Sequence, residues 1–187
     1  QNPYFNIWGT TDMSGTPAVI LWRQYSKELG VVNNVEVGVQ HGDFGVGLTR
    51  SMVEGYVMKD GKPIYNSAYT YSDQTIADVA TNRDPRLTIF LKVPGQKNVF
   101  KNMSAPEDHY VIDEPYPTIT TRNAENDYST GYAIRKGGTF DKANTGNGNC
   151  YNAAEIFRAT EALLNYMEAE YMLTNSLSGK VLEYWKD

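Results

Sequence analysis

The stretch Asn152-Ala-Ala-Glu-Ile-Phe-Arg-Ala-Thr-Glu-Ala-Leu-Leu-Asn-Tyr-Met-Glu-Ala-Glu-Tyr171 carries the strongest helical signal in the chain. Asn152 is a good N-cap, and Glu155 three residues on completes a reciprocal capping pair. Ile156, Ala159, Leu163, Tyr166, Met167 and Glu170 recur at helical spacing and define one stripe expected to face a core. Arg158, Glu161, Glu168 and Glu170 offer charge partners three and four residues apart. A charge on a mostly apolar helix must be paired if buried, so Arg158 is expected to meet Glu161 or a neighbouring segment.

Outward from this helix, the chain alternates short ordered pieces with long irregular ones. Residues 1–15 read as loop, with Pro3, Gly9 and Gly15 as breakers. Ala18-Val-Ile-Leu-Trp22 reads as a strand. Residues 30–47 hold five glycines and read as a long excursion. Thr49 to Met58 fits a helix capped by Thr49. Asp60-Gly61 before Pro63 is a turn. Ser72 or Asp73 caps a short helix through Val79, and Leu87 to Val93 reads as β. Gln96 to Asn126 is irregular. Thr130 to Lys136 reads as a short strand closed by Gly137-Gly138, and residues 146–149 as a flexible lead. A last helix is expected from Ser178 to Trp185. No repeat, low-complexity tract or interdomain linker appears.

The totals bound the function classes. The chain has 187 residues, 17 basic against 22 acidic, and a net charge of −5. That balance argues against nucleic acid, which needs a basic face. Fourteen Tyr, three Trp and six Phe make an aromatic-rich set, suited to surfaces that stack and hydrogen-bond. A single cysteine, Cys150, excludes an internal disulfide. Its place before the helix would let the helix dipole favour a thiolate, but the preferred reading of such a lone cysteine is incidental. Two histidines, His41 and His109, with one cysteine give no zinc set; neither a metal nor a cofactor is expected. No apolar run reaches transmembrane length. The chain starts at Gln1 rather than Met and is read as processed, trimmed or part of a longer protein.

Four segments in order resemble the SusD/RagB family of outer-membrane glycan-binding lipoproteins. They are Ala18-Val-Ile-Leu-Trp-Arg-Gln-Tyr25, then Thr49-Arg-Ser-Met-Val-Glu-Gly-Tyr-Val-Met-Lys-Asp-Gly-Lys-Pro-Ile64 and Asn82-Arg-Asp-Pro-Arg-Leu87. The fourth is Tyr132-Ala-Ile-Arg-Lys136 with the Ile156 to Glu170 run. Two features depart from the family. Its members are longer and begin with a lipidated cysteine after a signal peptide. An Ala-Glu-Ala-like run is replaced here by Asn165-Tyr-Met-Glu-Ala-Glu170. The chain therefore resembles the central to C-terminal part of such a protein, one piece of a single SusD-like domain.

The resemblance implies a mainly α fold with tetratricopeptide-type helices, long irregular loops and a few short β-strands. It implies a cell-surface protein held at the outer membrane by a lipid anchor. It further implies non-catalytic glycan binding, with delivery to a SusC-like TonB-dependent transporter. It transfers no residue list, because the sugar-binding residues vary among members.

Glycan binding needs flat aromatic faces for sugar C–H surfaces and amides or carboxylates for hydroxyls. Asn6 and Trp8, beside Tyr4 and Phe5, lie in a polar stretch before the first strand. Tyr25 follows that strand, and His41, Asp43 and Phe44 lie in the glycine-rich excursion. Trp8 leads this group, because its neighbours are polar, and Trp8→Ala is expected to weaken binding while leaving the fold intact. The bland alternative for Trp8 and Phe44 is a core plug beneath a loop. Arg83-Asp84-Pro85-Arg86 reads as structural rather than as an anion site: Asp before Pro sets an extended or turn geometry, and the two arginines can clamp loop carbonyls or helix C-termini. Two rivals stay open. A glycoside hydrolase needs facing carboxylates, for which Asp12, Asp43 and Glu54 are formally available. A helical scaffold for protein partners needs no sugar site.

Overall fold

The computed structural model describes residues 3–41, 46–96, 129–139, 141–176 and 179–186. Among them lie seven α-helices and one two-stranded antiparallel sheet. Helix α1 spans Pro3–Trp8, β1 Val19–Arg23, α2 Val35–His41, α3 Arg50–Gly55, α4 Ile76–Ala80 and α5 Leu87–Phe90. Strand β2 spans Ala154–Arg158, α6 Ala159–Thr174 and α7 Gly179–Lys186. Helix outweighs strand, but six of the seven helices are four to eight residues long. Two 3-10 turns and irregular backbone make up the rest of the described residues, so the mainly α expectation holds only as this predominance. Helices α6 and α7 pack on each other, with Tyr166 and Tyr184 edge to face at 6.4 Å.

The first part of the expected long helix is strand. Residues 154–158 pair with β1, Val19 opposite Arg158 and Arg23 opposite Ala154. The Ala159 amide extends this pairing by donating to the Ala18 carbonyl at 2.8 Å. Ile156 and Phe157 suit a pleated surface, and the available partner strand overrides helical spacing. The expected cap is also reassigned. Asn152 is buried; its amide donates to Glu36 Oε1 and to the Gly137 carbonyl, each at 3.1 Å. Arg158, in extended conformation, precedes α6 instead. It pairs with Glu155 at 2.7 Å rather than with Glu161. Of the anticipated core stripe, only Met167 is buried in α6. The helix closes at Asn175, whose left-handed backbone turns its amide onto the Tyr171 carbonyl.

The core lies between residues 48 and 93. Leu48, Val53, Ile76, Val79, Leu87, Leu91 and Val93 form it, with Tyr56, Phe90, Tyr132 and Ile134 at its edge. Thr49 caps α3 as expected, accepting from the Met52 amide at 3.2 Å. Thr75, rather than Ser72 or Asp73, caps α4, accepting from the Asp78 amide at 3.1 Å. Arg83 joins the two helices. It is buried, and its guanidinium donates to the carbonyls of Val53 at 2.5 Å, Tyr56 at 2.8 Å and Val79 at 3.4 Å. These acceptors lie at or just past the C-terminal ends of α3 and α4, so one cation satisfies carbonyls that the helices cannot.

Three local expectations change for identifiable reasons. Leu87 to Phe90 is one helical turn, not strand, although its residues favour β. The Leu87 amide donates to the Asp84 carbonyl at 3.0 Å, and Asp84 takes the Arg86 amide and side chain, so the chain is already wound when it reaches Leu87. Residues 91–93 then meet residues 133–135 through a bridge, with Lys92 donating to Ala133 and Arg135 to Phe90. That bridge is all of the expected strand from 130 to 136. The expected loop at the N-terminus contains α1, and the glycine-rich excursion contains α2. The buried ammonium of Lys92 secures α2 by donating to the Val39 carbonyl at 2.5 Å.

Candidate functional site

The candidate site is built where α1 ends against the Gly137-Gly138 turn. Pro3 opens α1, a position where its missing N–H costs nothing. The helix buries Phe5 and leaves Asn6 exposed. At Gly9 the backbone presses on the turn: a Cβ there would overlap the Gly138 carbonyl oxygen. Gly137 itself adopts a left-handed φ of +87°, which a side chain would strain. Beyond the contact, the Thr10 carbonyl accepts the Ala153 amide at 2.8 Å. Opposite, Thr139 Oγ1 accepts the Asp141 amide at 3.1 Å, and Asp141 accepts the Ala143 amide at 2.9 Å.

An open cleft of about 430 Å³ lies between these walls. Phe5 and Asn6 of α1 and Gly9 and Thr10 just after it line one side, and Gly138, Thr139 and Asp141 the other. An aromatic edge, an amide, two hydroxyls and a carboxylate thus meet around one concave surface. Asn6 was legible in the sequence as a polar neighbour of aromatics. Thr139 and Asp141 were not; the available signal was the Gly-Gly turn just before them.

Trp8 lies at the back of this region, half-buried, with cations over its ring. Lys136 Nζ is 3.9 Å and Arg158 Cζ 5.0 Å from the ring centroid. Arg135 Cζ lies 4.3 Å over Phe5. Burial of its head and the neighbouring Arg158 hold the Lys136 ammonium below the usual lysine range. Burial raises Glu155 above the usual carboxylate range despite Arg158 and Lys136 nearby. Trp8 Nε1, Arg135 Nε and Glu155 Oε2 are buried without a hydrogen-bond partner among the described residues. Trp8 is therefore a tethered ring within a charged cluster, not the loop-borne, freely presented platform its polar neighbours suggested.

The remaining candidates are dispersed. The ring of Tyr25, half-buried after β1, carries Arg23 Cζ at 5.1 Å. His41 closes α2. Asp43 and Phe44 lie outside the described residues. Sequence reasoning missed a second groove of about 320 Å³ between α6 and α7, where Glu168, Tyr171 and Trp185 join Leu164 and Met167. Its signal was the aromatic content on the outer helix faces.

Cys150 is fully buried, and burial pushes its thiol above the usual range. The thiolate suggested by its position before a helix is thus disfavoured, because β2 rather than a helix follows it. Among the described residues no group of three His, Cys, Asp or Glu is placed to hold a metal ion. The formal hydrolase carboxylates are engaged or undescribed. Asp12 holds the Ser14 amide at 2.8 Å, Glu54 pairs with Arg50 at 2.6 Å, and Asp43 is outside the described residues.

Among the described residues, no helix is long and apolar enough to cross a membrane. Neither the curated proteins nor the solved structures contain a match to this chain. The family model described as the SusD family matches residues 21–185, nearly the whole chain. Members of that family are generally non-catalytic, glycan-binding proteins of the outer-membrane surface. By this match the chain belongs to the SusD family.

Proposed function

We propose that this protein captures an oligosaccharide or polysaccharide at the outer cell surface, without cleaving it. It then delivers the glycan to a SusC-like TonB-dependent transporter. In this reading a lipid anchor holds the parent protein at the outer membrane. Family membership supports glycan binding, and the chemistry of the cleft beside α1 carries the choice of site. Sugar hydroxyls need both donors and acceptors. The cleft lining offers the Asn6 amide, the Thr10 and Thr139 hydroxyls and the Asp141 carboxylate, next to the Phe5 ring. Preformed walls of this kind keep the ordering cost of binding low. Tyr25 after β1, His41 at the end of α2, and Asp43 and Phe44 outside the described residues remain candidate contacts.

The test is a panel of polysaccharides in native affinity gels, with each mixture assayed for new reducing ends. Capture predicts retardation by one glycan class and no new ends. New ends turn the reading to a glycoside hydrolase. A tight complex with the transporter in the absence of any sugar affinity turns it to a scaffold. Asn6→Ala is expected to weaken retention by up to about tenfold, the upper value of one hydrogen bond, with the thermal midpoint unchanged. Trp8→Ala should weaken retention and also lower the midpoint, because its ring carries Lys136 and Arg158.

A further inference from the structure

Resting on the glycan reading above, we propose that the glycan is acidic. Lys136, flanked by Arg135 and Arg158, receives its carboxylate or sulfate groups. The chain carries a net charge of −5, so a gathering of cations runs against its composition. Three cations nevertheless meet around Phe5 and Trp8. Arg135 lies 4.3 Å over Phe5, and Lys136 and Arg158 lie 3.9 and 5.0 Å over Trp8. The carboxylate beside them is Glu155, and its ion pair is made to Arg158. Among the described residues Lys136 has no ion pair, and its ammonium rests instead on Trp8 and, at 5.3 Å, on Phe90.

A lysine with a purely structural role is normally held by a carboxylate or a carbonyl, because an ammonium drawn out of water needs compensation. Lys136 is exposed as a residue and bears that cost only in part: desolvation of its ammonium and the nearby Arg158 lower its proton affinity, and Glu155 offsets some of this. An arriving anion relieves both terms. The unmatched groups nearby have the same character. The Trp8 indole N–H and the Arg135 Nε–H are buried donors without a partner among the described residues. Both are enclosed, so they add to the positive field here without meeting a ligand, whereas an anion answers the ammonium directly.

Phe5 connects this cluster to the cleft, since its ring lines the cleft and carries Arg135. The cleft lining carries a carboxylate, and the cluster behind Phe5, outside that lining, carries the cations. Asp141 on the turn accepts from sugar hydroxyls, and Lys136 takes the acidic group. That polarity orients a uronate or sulfated residue along the cleft.

The experiment uses native affinity gels cast with polygalacturonate, with a sulfated galactan and with an unsulfated galactan, each at low and high salt. Anionic phosphatidylglycerol vesicles are assayed in parallel. Retardation by an acidic polymer that falls steeply with salt is expected, and the responding arm separates carboxylate from sulfate. Lys136→Met should weaken that retardation about tenfold, while Lys136→Arg retains most of it. Retardation by neutral galactan alone, or acidic binding insensitive to salt and to Lys136→Met, overturns the inference and leaves glycan capture standing. Vesicle binding with indifference to acidic polymers overturns it in favour of a membrane surface. Indifference to every polysaccharide in a broad panel removes the glycan reading and the inference together.

Discussion

Between Leu48 and Val93 the helices are only four to six residues long, yet seven apolar side chains of that segment are buried together. Helix α6 runs for 16 residues and buries Met167 alone. On it Met172 and Leu173 are 78 % and 87 % exposed. The longest helix thus contributes little to the core. Periodicity reports which side of a helix is apolar; it does not report what covers that side. In the short-helix region the elements cannot bury a whole face alone, and a polar device, the Arg83 guanidinium, completes their ends.

The sharpest way to break this contrast is to remove that device. Arg83→Ala strips donors from three carbonyls at once and is expected to destabilise the fold by about 4 kcal/mol, read by chemical denaturation. A loss below about 1 kcal/mol would mean that water replaces the arginine and that the core stands on packing alone. Next in size, Thr49→Ala removes the side-chain cap of α3 and should cost about 1 kcal/mol. The same measurement on Thr75→Ala asks whether α4 depends equally on its cap.

Acid sharpens the comparison further. The Arg86 guanidinium holds Asp84 below the usual carboxylate range. Its folded value is thus below its unfolded one, so the stabilisation is present at neutral pH. It is lost as pH falls through the ordinary carboxylate range toward that depressed value. Arg86 is largely exposed, so the effect should stay under about 1 kcal/mol. It should vanish in Asp84→Asn, as urea midpoints measured against pH would reveal. The smallest change is expected on the other side of the comparison. Leu173→Gln should shift stability by no more than about 0.5 kcal/mol, and a larger loss would mean that this face is covered in the protein as assayed.

Some of the helix-capping and turn chemistry was legible in the sequence. Thr49, the Asp60-Gly61 turn and the last helix follow from local rules, and Arg83 was legible as a clamp on loop or helix-end carbonyls though not on which ones. What local rules missed were partnerships made at a distance. Residues 154–158 look helical until β1 is available to pair with them. Asn152 looks like a cap until Glu36 and Gly137 claim its amide. Leu87 to Phe90 looks like strand until Asp84 and Arg86 start a turn before it. The candidate site follows the same division. Asn6 and Trp8 stood out by residue type, whereas Thr139, Asp141, Lys136 and Arg158 join them only through folding. Nothing in residue type says that two cations will lie over Trp8.

The contact between Gly9 and Gly138 has a consequence for how this binding surface can diversify. Because backbone meets backbone there, the spacing of the cleft walls is a property of the main chain. Asn6, Thr10 and Asp141 can be exchanged to change what is recognised while the aperture keeps its width. A side chain at position 9 would do the reverse, prising the walls apart while the recognition groups stay the same. Gauge and chemistry are therefore separately adjustable, and a library that holds Gly9 fixed while varying the three polar positions would explore ligand preference at constant geometry.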